Sequence, residues 1–142
     1  MGKKLQIEKS LSLNYPSISV LKTAKKKPSN HESKLQQACV RWFRLEYPKL
    51  VLYSIPNGGT RHQKEVAKIK AEGVLAGVPD LFLMKANRGF HGLYIEMKYG
   101  SNKPTDNQID FMQKAKAEKY AVSVCYSFDE FVSVVKGYLK DC

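Results

Sequence analysis

Residues 77–100 read GVPDLFLMKANRGFHGLYIEMKYG, and they hold two apolar runs, PDLFLM and LYIEMKYG, around the turn sequence KANRGFHG. Short runs of this kind, separated by Gly- and Asn-bearing turn chemistry, indicate a strand pair. A connection this tight makes the pair antiparallel, so any sheet that contains it is built around it. Yet both strands carry acid. Side chains two apart on a strand share a face, so Tyr94, Glu96 and Lys98 project together while Ile95 and Met97 point the other way into apolar packing. Asp80 opens the first strand. In an antiparallel pair the start of one strand lies beside the end of the next, which brings Asp80 level with the Glu96–Lys98 end.

Further elements assemble around this pair. SNHESKLQQACVRWFRLEYP has an apolar stripe at helical spacing (Leu35, Ala38, Cys39, Trp42, Phe43, Leu45), with Ser29 or Asn30 as cap and Pro48 as stop. LVLYSI reads as a short strand ended by PNGG. TRHQKEVAKIKAEG reads as a second helix, polar on most faces, with Thr60 as cap and Gly73 as its stop. KPTDNQIDFMQKAKAEKY is a helix whose Thr105 and Gln108 match a capping box. AVSVCYS is a strand, and SFDEFVSVVKGYLK is a closing helix with Ser127 and Glu130 as a further capping box. The order is helix, strand, helix, strand, strand, helix, strand, helix. It predicts an α/β fold: a mixed central sheet flanked by helices, with a parallel crossover between LYIEMKYG and AVSVCYS.

The length of 142 residues suits one compact domain. No apolar run approaches the roughly 20 residues of a membrane span, and the N-terminus has no signal-peptide core, so no membrane partner is expected. The three cysteines are far apart, without C-x-x-C spacing, which argues against a disulfide framework or a zinc site and for a reducing cytosol. The formal net charge of +11 favours a polyanionic partner. Residues 1–29 hold seven lysines against one glutamate and end in KKKPS, so they read as a basic N-terminal arm ahead of a folded domain at 30–142. Apolar residues in this arm could form a short strand or dock on a partner; the plainer reading is a flexible arm.

Two neighbouring carboxylates repel each other, and something must compensate. Lys98 can do part of this. A divalent cation does it better, and hard oxygen donors select Mg²⁺, which takes one or two carboxylates and keeps several waters. Such an ion polarises a phosphoryl oxygen and helps to generate hydroxide, and Lys98 could then offset charge on a phosphorane-like transition state. The plainer alternative is a half-exposed strand-pair salt bridge between Lys98 and Asp80 or Glu96.

PD followed by EMK resembles the PD-(D/E)XK nuclease superfamily. The fuller pattern resembles its virus-type replication-repair nuclease (VRR-NUC) branch, through HESKLQQACVRWF, IPNGGTRHQKEVAKIKAEGVLAGVPDLFLM, LYIEMKYG and PTDNQIDFMQKAKAEKYAVSVCYSFDEF. The resemblance covers roughly residues 31–140 with its motifs in order. It implies that Asp80 and Glu96, with the main-chain carbonyl of Met97, are metal ligands, and that Lys98 is the catalytic lysine. It implies that Glu32 approaches the metal directly or through water, although an acid in a first helical turn also offsets the helix dipole. Gln108 corresponds to the family's glutamine near the active site; its other reading is the partner of Thr105 in the cap. Asn57, Gly58 and Gly59 form a turn whose amides could meet a phosphate, with Arg61, His62 and Lys64 adding positive charge. Tyr99, Lys103 and the arm are candidate backbone contacts.

The resulting expectation is an Mg²⁺-dependent deoxyribonuclease, with Mn²⁺ as a substitute, that selects DNA by structure. Small members of the family, often from phages, resemble structure-selective enzymes, some of them dimers on four-way (Holliday) junctions. A homodimer in a bacterial or phage-infected cytosol fits that pattern, because paired nicks need sites related by a two-fold axis. The alternatives are a restriction-like or flap nuclease with the same site, and a non-catalytic DNA-binding module. An interaction protein with no nucleic-acid role would bind DNA weakly and with little salt dependence.

Overall fold

The computed structural model describes residues 30–56 and 63–142. The arm at 1–29 and the Asn57–His62 part of the glycine turn lie outside the described residues. Helix α1 is Asn30–Glu46, β1 Leu52–Ser54, α2 Gln63–Ala71, β2 Leu81–Leu83, β3 Leu93–Met97, α3 Asp106–Ala117, β4 Ala121–Cys125 and α4 Phe128–Leu139. The strands form one sheet in the order β1-β2-β3-β4. The first two pairings are antiparallel and β3 runs parallel to β4, so the sheet is mixed, as the sequence predicts.

Alternation along the strands sorts the two faces. Leu81, Leu83, Leu93, Ile95 and Met97 are buried in one cluster with Cys39 and Phe43 of α1 and with Phe131 and Val135 of α4. Trp42 meets Phe131 edge-on at 6.1 Å, which joins the two helices on this aliphatic face. The opposite face is aromatic. Phe82 lies 4.6 Å from Tyr94, and Tyr94 lies 5.2 Å from Phe111 of α3, so α3 covers this side. The parallel β3–β4 pair therefore has helices on both faces, as parallel strands require.

Local chemistry sets the ends of the elements. Gly73, at φ 102, closes α2: its N–H donates to the Lys70 carbonyl, and the Val74 N–H donates to Ile69. These two bonds are the Schellman pattern, which needs a left-handed residue where only glycine is free of strain. Thr105 and Gln108 form the expected reciprocal box at the start of α3. The second box is only half made. Ser127 Oγ accepts from the Glu130 N–H at 3.1 Å, but the Glu130 carboxylate reaches the Tyr126 N–H at 2.7 Å, one residue ahead of the cap. The strands are shorter than the apolar runs suggest, because Pro79 and Lys98–Gly100 run on as approach and exit segments of the sheet. The β2–β3 turn is fastened to the end of α4. Asn87 Nδ2 donates to the Tyr138 carbonyl at 2.7 Å, and the Tyr138 hydroxyl donates to the Lys85 carbonyl at 2.6 Å.

Candidate active site

The site grows from the register of the central pair. Leu81 faces Ile95 and Phe82 faces Tyr94. One further step in that register sets Asp80 across from Glu96. Asp80 Oδ2 accepts a hydrogen bond from the Met97 N–H at 2.9 Å, and the Asp80 carbonyl accepts from the Ile55 N–H at 2.8 Å. Asp80 thus ties β1 to the end of β3. Its approach is stiff: Gly77 and Pro79 are buried, and Gly77 has φ 94. A Cβ on Gly77 would collide with the Asn107 carbonyl, so the loop into β2 runs directly against the start of α3.

Glu96 is 1% exposed and Lys98 8% exposed. Lys98 Nζ lies 3.1 Å from Glu96 Oε1, and Gln108 Nε2 donates to the same oxygen at 2.5 Å. Gln108 also accepts the Thr105 N–H on its Oε1 at 2.8 Å. Gln108 thus makes two contacts at once: its oxygen closes the helix cap and its nitrogen donates to Glu96. The plainer sequence alternative, a strand-pair salt bridge, is present in altered form. The partner of Lys98 is Glu96, and the pair is buried rather than half exposed, because α3 brings Gln108 over this face. A carboxylate held this far from water needs an ammonium partner and hydrogen bonds to remain ionised without a penalty of several kcal/mol.

Glu32 joins from α1. His31, beside it, stacks on Tyr99 with ring centroids 5.0 Å apart and planes at 14°, so the first turn of α1 lies against the exit of β3. Glu32 and Asp80 line one groove of about 680 Å³ between α1 and β1. Arg41 and Arg44 line the same groove. Sequence reading passed over these two arginines. The available signal was their three-residue spacing, which puts them on one helix face, away from the apolar stripe. Of the other residues singled out from the sequence, Lys64 and Lys103 are exposed, and no hydrogen bond or ion pair joins either to the Asp80–Glu96 cluster.

Among the described residues, no group of three or more His, Cys, Asp or Glu side chains forms a ready-made metal cluster. What the cluster offers is two carboxylates on facing strands with hard oxygen donors. That matches Mg²⁺, which is bound through one or two carboxylates and completes its shell with water and substrate phosphate.

A family model for the VRR-NUC domain matches residues 30–129. The chain belongs to the VRR-NUC family. A solved structure, a VRR_NUC domain protein, is similar to it with 28% identity and a TM-score of 0.66, over 79% of this chain and 90% of that one. Among curated proteins none matches. VRR-NUC membership carries a nuclease-type function with DNA as the substrate class. Among the described residues of this VRR-NUC chain, no helix is long and apolar enough to cross a membrane.

Proposed function

We propose that the chain is a metal-dependent, structure-selective endonuclease that hydrolyses phosphodiester bonds in branched DNA, with four-way junctions as its substrate. The observation that carries this reading is the buried Glu96–Lys98–Gln108 cluster, one residue from the Asp80–Met97 hydrogen bond. Burying such a cluster solely for stability is a poor bargain, since apolar residues of similar volume do as well or better.

Asp80, Glu96 and the Met97 carbonyl would hold Mg²⁺, with Mn²⁺ as a substitute, and Glu32 would reach the ion through water. When bound, the ion supplies a Lewis acid and lowers the pKa of water. The chain's own groups do the rest. Lys98 orients the attacking water or offsets charge gathering on the phosphate during in-line displacement. Gln108 is a positioning residue: it fixes the direction of the Glu96 carboxylate and leaves Lys98 facing the substrate side. Asn57, Gly58, Gly59, Arg61, His62, Lys64, Tyr99 and Lys103 are the proposed contacts to the DNA backbone. A homodimer would present two such sites to a junction, with the arm at 1–29 as a separate basic segment ahead of the nuclease domain at 30–142. A bacterial or phage-infected cytosol is the proposed setting.

The test incubates the purified chain with end-labelled linear, flap and four-way DNA in Mg²⁺, Mn²⁺ or EDTA. Cleavage of the junction is expected in either metal and none in EDTA. Asp80→Asn and Lys98→Ala should each reduce the rate by on the order of 100-fold or more. Cleavage that persists at the same rate in both variants overturns the assignment.

A further inference from the structure

The α1–β1 groove has two chemically distinct ends. Glu32 and Asp80 stand at one, and Arg41 and Arg44 lie further along α1. From Glu32 to Arg44 the helix advances about 18 Å at 1.5 Å per residue. Arg41 and Arg44 are both exposed, and neither has a hydrogen bond or ion pair among the described residues. Two guanidinium groups on one helix face, facing a cleft and held by nothing else, are poised for a repeating anion. Their planar forks match phosphate oxygens in pairs. Gln37 and Ser54 line the cleft as well and supply neutral hydrogen-bonding groups.

We propose that this groove holds a single strand of the substrate nucleic acid, with Arg41 and Arg44 on successive phosphates and the strand leading towards Asp80. The assignment rests on the nuclease reading above and adds to it that the groove takes the strand that parts from its partner at the branch point. Size selects a single strand. The cleft, about 680 Å³ and open on one side, has room between its walls for on the order of one or two nucleotides of one strand. Polarity selects nucleic acid. The arginines draw a polyanion in, and binding to them needs no metal; the acids mark the end where a bridging cation would be held.

The experiment measures fluorescence anisotropy of labelled oligo-dT and of a duplex of equal length against the full chain in EDTA, across a salt series. Wild type should bind oligo-dT more tightly than duplex. For single strands log Kobs falls with log salt at about 0.7 per neutralised phosphate, so R41A/R44A should flatten the slope by about 1.4 and weaken binding at least tenfold. Lys136→Ala on α4 serves as a charge control and should change affinity no more than about twofold. Circular dichroism establishes that the double variant is folded. Wild-type affinity and slope in the folded double variant would overturn the proposal. So would equal binding of duplex, no binding of oligo-dT by wild type, or displacement by poly-glutamate as effective as that by unlabelled oligo-dT. The two readings fail separately. Arginine-dependent binding in a chain that cleaves no DNA in Mg²⁺ removes the nuclease reading and leaves the groove. Cleavage that is lost in Asp80→Asn but unchanged in R41A/R44A removes the groove and leaves the nuclease.

Discussion

Glu96 illustrates how much a single buried charge asks of its neighbours. It is almost fully removed from water and shares one oxygen between an ammonium and an amide. Removing only one member of such a pair leaves a charge without its partner, at about 3–5 kcal/mol. Lys98→Met should therefore lower the unfolding free energy in EDTA by about that amount. The double variant Glu96→Gln/Lys98→Met, neutral at both positions, should recover most of the loss and remain inactive. Urea unfolding of the two variants separates the structural role of Lys98 from the chemical role proposed for it. Equal instability of the single and double variants would mean that the ion pair is not what holds this corner. At this scale the sequence was informative about which side chains meet and poor about their environment. The E-x-K spacing put Glu96 and Lys98 on one face, but nothing local to the strand could tell that a helix begun at Thr105 would bury them. Nor could spacing alone show that one side chain, Gln108, would engage both the helix cap and Glu96.

At the scale of elements, the two strands and their turn were legible because period-two alternation and turn chemistry are short-range properties. The capping residues were legible for the same reason, although Glu130 shows how a side chain can choose the neighbouring amide. Strand ends were less so, because they depend on where pairing partners stop. The groove was not legible at all: it exists only because the edge of β1 lies beside α1, a long-range contact. Gly77 is the clearest test of an element-scale constraint. A side chain there meets both a positive φ and the Asn107 carbonyl. Gly77→Ala should cost about 2 kcal/mol or more, since strained conformations cost roughly 1–3 kcal/mol before any steric clash is added. Gly73→Ala shares the positive φ but has nothing within 4 Å of the new Cβ, so it should cost less. Matched denaturant curves decide this. A smaller loss at Gly77 than at Gly73 would show that the loop and α3 yield readily.

Across the whole molecule, the core governs how the protein answers alkali. Burial pushes the Cys39 thiol up to about 12 and the Cys125 thiol up to about 11. Burial also raises the phenols of Tyr94 and Tyr138. A group whose proton is held more tightly in the folded chain contributes fully below its unfolded pKa, and the contribution fades as pH rises towards the folded value. Stability should accordingly be level in this respect up to about pH 9 and fall between there and pH 11–12. Cys125→Val should make the alkaline limb shallower in unfolding measured against pH. In native protein a thiol reagent should modify the exposed Cys142 quickly and leave Cys39 and Cys125 until the chain unfolds. Three thiols reacting at one rate would contradict the packing of the aliphatic face.

The doubled engagement of Gln108 has a mechanical meaning. One planar amide pins the first turn of a helix on its oxygen side and a buried acid on its nitrogen side. A ligand that swings the acid out of line must also tug on that turn. Whatever is clasped at the sheet is thereby felt at the far side of the aromatic layer, through a lever a single side chain long.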